Sequence, residues 1–204
     1  MRTLSAMFLT DPPQSPEADA FYDANRESDG YVGNFTRLWC WRPDLFKSFV
    51  DLRLALMDST SLSDREQAIV VAATVSAFGD SYCSLAWGSK LAKLAGDETA
   101  GGVIAGEAPD ELSQREAALC AWCRAVVRDP MATTPAQVDA LRAAGFDDRE
   151  IFEATLFLSL RLAFSTVNDA LGALPDRQLA DAVPTPVRDA VTFGRPVAET
   201  PSLA

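Results

Sequence analysis

Histidine is absent from all 204 residues of the chain. Any mechanism that needs an imidazole as general base, proton shuttle or metal ligand is therefore excluded. Basic residues are also few, with 18 lysines and arginines against 29 aspartates and glutamates, and no stretch clusters them. Because nucleic-acid binding depends on clustered basic side chains, the formal net charge of -11 argues against a nucleic-acid partner and against an anionic membrane surface.

The sequence also lacks an apolar run long enough to span a bilayer. The longest such run, residues 155–167, carries Arg161 at its centre and is shorter than the roughly 20 residues that a span needs. The first ten residues hold one basic side chain and too short an apolar run for a secretory signal, and Asp11 and two prolines follow at once. We expect a soluble protein with no membrane association, whose N-terminal arm, residues 1–29, packs on the body or on a neighbouring subunit.

The four cysteines are too few and too unevenly placed for the disulfide framework of a small secreted domain, which favours a reducing cytoplasm. Cys120 and Cys123 have the spacing of a CxxC motif, but they fall inside a predicted helix, where core packing is the simpler interpretation. No second pair completes a zinc site.

The glycine-rich stretch 101–106 lacks the Lys-Ser or Lys-Thr of a phosphate-binding loop and is interpreted as a connector. The sequence predicts no metal and no cofactor.

Helix-start and helix-stop signals recur along the chain, and no convincing alternating strand pattern is present, so the predicted class is all-α. Capping boxes, N-cap side chains and closing glycines predict helices over about 63–78, 80–94, 113–128, 134–145 and 147–171. The start of the third predicted helix, 112–118, repeats the pattern of 62–68. The repeat is either ancient or, more simply, two uses of one capping solution.

The predicted architecture is one helical domain over 1–204 with a core over about 30–174. The last long helix is apolar around most of its circumference, which is typical of a helix at the centre of a bundle or covered by another subunit and therefore favours a homo-oligomer. The tail, residues 175–204, is rich in Pro, Ala, Asp and Thr and is predicted to be extended or only partly ordered, with room for a short helical turn at 187–191.

Cys83 is the main candidate for chemistry, because it lies where a turn meets a helix. With Asp80 as N-cap, Cys83 takes the third helical position, where the helix dipole lowers a thiol pKa. The Asp80 carboxylate raises that pKa, so the two effects oppose each other. Cys83 is thus either a reactive thiol or a small buried side chain. Trp87, one helical turn on, either walls a pocket beside Cys83 or fills the core.

The capped helix over 62–78, the turn 79–83, the next helix and the segment 147–172 together resemble the alkylhydroperoxidase D-like (AhpD-like) superfamily, which includes the carboxymuconolactone decarboxylases. The resemblance is greatest to the peroxidase-related branch and covers roughly residues 30–174. It implies an all-helical oligomer. In active members the turn carries Cys-x-x-Cys, followed four residues later by His, and the preceding helix carries a Glu. The second cysteine attacks peroxide and the first resolves it.

Only one of these four catalytic parts is present in this chain. The resemblance assigns the attacking cysteine to Cys83, the resolving cysteine to Asp80, the histidine to Trp87 and the glutamate to Ala68. Glu66, two residues before Ala68, is occupied as a helix cap. A sulfenic acid on Cys83 has no local thiol with which to close a disulfide, so the usual two-cysteine cycle is not expected.

Three functions remain open. In the first, Cys83 reacts as a lone nucleophile with a small hydroperoxide, Asp80 accepts its proton or orients it, Tyr82 and Trp87 line the pocket, and an external thiol restores the enzyme. In the second, a decarboxylase-like non-redox enzyme uses Asp80 as acid or base, although no basic cluster near the motif would bind a dicarboxylate. In the third, a non-catalytic helical scaffold binds an apolar ligand or a partner in the former active-site cavity.

Overall fold

The computed structural model of the protein describes residues 6–202, which fold into α-helices with one 3₁₀ turn at Pro130–Ala132 and no strand. The all-α class is confirmed. The helices are α1 Pro16–Asp29, α2 Asn34–Trp39, α3 Pro43–Ser59, α4 Asp64–Phe78, α5 Ser81–Ala95, α6 Asp97–Ala105, α7 Gln114–Arg128, α8 Pro135–Ala143, α9 Asp148–Ala170, α10 Arg177–Ala182 and α11 Thr185–Ala190. Over the described range, no helix is both long and apolar enough to cross a membrane.

The five predicted helices are confirmed as α4, α5, α7, α8 and α9, and their caps form as the sequence indicates. At the start of α4, the Ser63 hydroxyl accepts the Glu66 amide proton at 3.2 Å, and the Glu66 carboxylate accepts the Ser63 amide proton at 2.8 Å. The same reciprocal pair joins Ser113 and Glu116 at the start of α7. Each box satisfies amide groups that a helix leaves without an internal partner.

Helix α4 lies at the centre of the fold. Every side chain from Gln67 to Val75 is at most 5% exposed, and α5, α6, α7 and α9 all pack against this helix. Its alanines and valines are small enough for neighbours to approach on all sides. The long helix α9, which the sequence marks as the most apolar, packs against α3, α4 and α8 but leaves Phe152 66% exposed.

The two similar segments 62–68 and 112–118 face each other through reciprocal ion pairs. Arg65 at the start of α4 binds Glu116 of the α7 capping box at 2.6 Å, and Arg115 of α7 binds Glu66 of the α4 capping box at 2.6 Å. Arg115 also binds Glu150 at the start of α9 at 2.7 Å. The amino ends of three helices are therefore joined by one half-buried charge network.

The connector predicted over 101–106 is wrong, because Gly101 and Gly102 lie inside α6. A Cβ added at Gly101 would come within 2.9 Å of the Pro186 carbonyl oxygen, since α11 packs closely on α6. The glycines here serve close helix contact rather than a loop. Their interpretation from sequence as a connector did not take account of α11, which is formed by the tail and packs on α6.

The extended tail predicted over 175–204 is also wrong for much of its length, because it contains the helices α10 Arg177–Ala182 and α11 Thr185–Ala190. The buried Asp176 fixes the start of this segment. It accepts the Asn34 amide proton at 3.1 Å and the hydroxyl protons of Tyr82 and Ser202. The short turn expected at 187–191 falls partly within α11. Positions 203–204 lie outside the described residues.

The N-terminal arm packs on the body of the same chain. The Phe8 amide donates to the Leu171 carbonyl at 2.9 Å, the Leu174 amide donates to the Ala6 carbonyl at 3.0 Å, and Met7 is 2% exposed. The rest of the arm contains α1, which the sequence patterns did not predict. Residues 1–5 lie outside the described range.

Candidate functional site

The turn between α4 and α5 places Cys83 as the capping pattern predicts. Gly79 closes α4 in the left-handed region at φ 88°, and the Asp80 side chain accepts the Cys83 amide proton at 2.9 Å. Cys83 is therefore fixed at the third position of α5 by the residue that caps the helix. The other carboxylate oxygen of Asp80, Oδ2, makes no hydrogen bond to a described nitrogen or oxygen.

Cys83 is more buried than a thiol exposed at a loop-to-helix junction would be, since only 4% of its surface is accessible. Burial raises the pKa of the Cys83 thiol well above its ordinary value, and the Asp80 carboxylate raises it further, while Arg161 acts in the opposite direction. The lowering by the helix dipole, which the sequence pattern indicates, is outweighed. Burial and the Asp80 carboxylate therefore favour the protonated thiol over the thiolate.

A cavity of about 360 Å³ lies beside Cys83, between α1, α2, α3, α5 and α9. Its walls are mainly apolar, and the wall residue Phe164 packs against other rings. Phe164 stacks on Trp39, which is outside the lining, with ring centroids 5.1 Å apart, and it meets Phe35 edge to face at 5.6 Å. The aromatic and aliphatic side chains that line it are Phe21, Ala24, Phe35, Phe46, Phe49, Val50, Tyr82, Ala86, Trp87 and Phe164. A cavity of this size and composition suits a small organic molecule.

Three of the four predicted site residues line this cavity, namely Cys83, Tyr82 and Trp87. The Tyr82 hydroxyl donates to Asp176, so Tyr82 presents its ring to the cavity and its polar group to the tail. Asp80 is fully buried and is not part of the lining. It contacts the site through Cys83 alone, as an acceptor for the thiol proton or as an orienting group.

Two arginines, which the sequence reasoning missed, also line the cavity. Arg161 of α9 is 6% exposed and donates from Nη2 to the Cys83 sulfur at 3.4 Å, and Arg53 of α3 lines the same cavity. The expectation that no basic cluster lies near the motif is therefore wrong. The signal in the sequence that could have identified Arg161 was its position as the lone arginine at the centre of the apolar run 155–167. A charge buried among apolar residues is costly, so it points to a functional role.

The remaining catalytic positions of the resemblance hold no reactive group. Ala68 is fully buried in the core, and Glu66 is held by its own cap and by Arg115, as expected. The other three cysteines are free and buried, and none lines the cavity. Over residues 6–202, no group of three potential His, Cys, Asp or Glu ligands is close enough to hold a metal ion.

No family model and no curated protein matches this sequence. Solved structures do match its fold. An uncharacterized peroxidase-related protein with an AhpD core from Ralstonia eutropha JMP134 is 20% identical, with a TM-score of 0.76 over 86% of this chain and 95% of its own. An uncharacterized peroxidase-related protein from Silicibacter sp. TM1040 is 19% identical, with a TM-score of 0.76 over 88% and 96%.

A third structure of the same fold is that of the debrominase Bmp8, which is 14% identical, with a TM-score of 0.72 over 90% of this chain and 97% of its own. A variant of that protein with alanine in place of a cysteine has been solved in complex with 2,3,4-tribromopyrrole. The chain described here has an AhpD-like, peroxidase-related fold, as its sequence motifs indicate.

Proposed function

We propose that the protein is a single-cysteine thiol peroxidase that reduces a small apolar hydroperoxide in the aromatic cavity. The observation that supports this most directly is that Cys83 is the one cysteine of residues 6–202 in the cavity lining, where Arg161 donates to its sulfur at 3.4 Å. A sulfur atom that becomes anionic as it loses its proton is stabilised by this guanidinium.

The reaction begins with transfer of the Cys83 thiol proton to the neighbouring Asp80 carboxylate, which interacts with the thiol. The sulfur then attacks the terminal peroxide oxygen, forming an S–O bond as the O–O bond breaks, and the other oxygen takes up the proton held by Asp80 and leaves as an alcohol. The protein is left with a sulfenic acid on Cys83, so the sulfur is oxidised and the peroxide is reduced by two electrons. Arg161 holds the negative charge on sulfur before the attack.

An external thiol completes the cycle. Its sulfur displaces water from the sulfenic acid to form a mixed disulfide, and a second thiol then attacks that disulfide, which restores the Cys83 thiol and releases the oxidised reductant. An internal disulfide is not used, because Asp80 occupies the position of the resolving cysteine. The four free cysteines are compatible with a reducing cytoplasm, which would supply the external thiol.

The debrominase structure supports small-molecule chemistry in this fold. That protein was solved with a brominated pyrrole after one of its cysteines was replaced by alanine. A compact aromatic ligand of that kind would also suit the walls of the cavity beside Cys83.

The test is hydroperoxide consumption measured by stopped flow, with cumene hydroperoxide as substrate and dithiothreitol as reductant. We expect Cys83→Ser to reduce consumption to the uncatalysed rate, because no other described cysteine lines the cavity. Cys120→Ser is the matched control, since Cys120 is a free buried cysteine outside the cavity, and it should keep the wild-type rate. Equal rates for the wild type and Cys83→Ser would contradict the proposal.

A non-catalytic ligand-binding scaffold is the second candidate, and the raised pKa of the Cys83 thiol favours it. In that case the cavity binds an apolar molecule and Cys83 is part of its wall. The two functions differ in one result: a scaffold binds ligand in the cavity while Cys83 stays unreactive towards hydroperoxide and alkylating agents.

A further inference from the structure

The cavity contains two positive charges that the protein does not neutralise. None of the ion pairs among residues 6–202 involves Arg53 or Arg161. Arg161 is 6% exposed, and its Nε has no described hydrogen-bond partner. Its Cζ atom lies 5.4 Å from the centre of the Trp87 ring and 4.8 Å from the centre of the Phe164 ring. A buried charge without a counter-ion is unfavourable, so such an arginine indicates a missing anion.

Arg53 approaches the same space from α3. Its only described hydrogen bond is to the Met57 sulfur at 3.2 Å, which is a weak acceptor. Burial lowers the pKa of Arg53, and the positive charge of Arg161 lowers it further. The two guanidinium groups, which line the same cavity, therefore repel each other. An anion between them would relieve both effects.

A third donor faces the cavity from α9. The Asn168 side chain is 1% exposed, and its Oδ1 accepts the Trp39 indole proton at 2.9 Å. This hydrogen bond fixes the amide, and its Nδ2 has no partner. Asp80, the carboxylate nearest to Cys83, forms no ion pair with either arginine and is not in the lining. The lining therefore offers unused donors and no acidic group.

We propose that this cavity binds an organic carboxylate, with the acid group held by Arg161, Arg53 and Asn168 and an aromatic or branched apolar body held by the aromatic walls. A planar carboxylate matches the two parallel donors of a guanidinium, and the ring faces suit a flat apolar body. The overall net charge of -11 repels anions, so the attraction is specific to this cavity. The carboxylate site also implies that the peroxidase substrate is an apolar hydroperoxide with a carboxylate, and this part of the proposal rests on the proposed function.

The binding test uses a matched pair of unreactive probes, 4-isopropylbenzoate and its neutral amide, 4-isopropylbenzamide, measured by isothermal titration calorimetry. We expect the wild type to bind the acid about tenfold or more tightly than the amide, because a charge-assisted pair forms in a buried site. Arg161→Met and Arg53→Met should each reduce or remove this preference. Arg188→Met, a change at an exposed arginine outside the cavity, should keep it.

Three results would overturn the proposal: no measurable binding of the acid to the wild type, equal binding of acid and amide, or a preference for the acid that survives in both cavity variants. Circular dichroism and thermal melting of each variant show whether it folds. If Arg161→Met does not fold, Arg53→Met and Arg161→Lys provide the same comparison. Arg161→Lys keeps the charge but loses the paired donors, so its preference should be intermediate.

Turnover separates this proposal from the proposed function. The matched substrates are cumene hydroperoxide and the same molecule with a para carboxylate, and we expect kcat/KM to be about tenfold higher for the acid. If neither is consumed while the wild type binds 4-isopropylbenzoate, the peroxidase function fails and the carboxylate site stands. If both are consumed equally, the carboxylate substrate fails and the peroxidase function stands.

Discussion

Cys83 lies between two buried charges of opposite sign. Arg161 donates to its sulfur at 3.4 Å, and the cap residue Asp80 holds its amide at 2.9 Å. The carboxylate favours the thiol form and the guanidinium favours the thiolate, while burial favours the uncharged thiol. The pKa of the Cys83 thiol therefore reflects burial and the Asp80 charge, which raise it, against the Arg161 charge, which lowers it.

This arrangement predicts opposite effects of two substitutions on the pH dependence of Cys83 alkylation. Asp80→Asn keeps a side chain that can cap α5 but removes the negative charge, so the thiol pKa should fall and Cys83 should be alkylated faster at each pH. Arg161→Met removes the positive charge, so the thiol pKa should rise and alkylation should be slower. The measurement is the iodoacetamide rate at matched pH values from 7 to about 9.5, in a background where Cys40, Cys120 and Cys123 are replaced by alanine. A shift of both variants in the same direction would contradict this account.

The positions of Cys83 and Asp80 could be predicted from the sequence because they are local. A glycine that ends one helix, followed at once by the N-cap of the next, determines the backbone conformation of the turn whatever the rest of the fold. The thiol pKa could not be predicted in this way. It depends on burial beneath the cavity walls and on Arg161, which is 78 residues away along the chain.

The amino ends of α4, α7 and α9 are joined by one charge network. Arg115 pairs with Glu66 and Glu150, and its guanidinium lies 3.7 Å from the centre of the Phe146 ring. Burial acts to raise the pKa of Glu66 and of Glu150, but hydrogen bonds from Arg115 and from the caps keep both pKa values below the ordinary 4.5. The network therefore stabilises the fold only while both glutamates are ionised.

We expect Arg115→Met to lower the free energy of unfolding by about 1.5 kcal/mol at neutral pH, because hydrogen bonds between charged groups are lost. The folded-state pKa values of the glutamates are depressed, so this contribution is complete above pH 4.5 and is lost as the pH falls through those values. Wild type and variant should therefore converge in acid. Urea unfolding across this pH range measures the difference.

Arg142→Met is the control for this experiment. Arg142 pairs with Asp139 and Asp148, but all three side chains are largely exposed, so its removal should leave the unfolding midpoint nearly unchanged. A gap between wild type and Arg115→Met that stays constant from neutral pH to acid would contradict the proposed role of the glutamates.

Most helices with strong caps were predicted, and helices without them were not. Helix α1 is the exception, because Ser15 caps it and Gly30 closes it, yet it was missed. Helix α2 has no side-chain cap at Gly33, and α3 begins after Arg42 with no capping hydrogen bond. In α6, Gly101 and Gly102 have low helix propensity, and tertiary packing against α11 overrides it. Apart from α1, the elements predicted from the sequence are those with local caps, and the elements missed are those held by contacts distant in the chain.

At the scale of the whole molecule, the elements missed from the sequence complete the site. Helices α1, α2 and α3 supply half of the cavity wall, including Arg53, and α5 and α9 supply the half that contains Cys83 and Arg161. The cavity could not be predicted from the sequence because it forms only where α1, α2 and α3 pack against α5 and α9. The homo-oligomer stays a prediction, and Phe152, which is 66% exposed on α9, is where a second copy would contact that helix.

The most direct measurement is the site of oxidation after one equivalent of cumene hydroperoxide, found by trapping sulfenic acid with dimedone and analysing tryptic peptides by mass spectrometry. Cys83 falls on a different tryptic peptide from Cys120 and Cys123, so one digest separates them. The account predicts dimedone on the Cys83 peptide, absent from the Cys120 and Cys123 peptide. An unlabelled Cys83, or equal labelling of both peptides, would contradict the claim that the cavity thiol carries the chemistry.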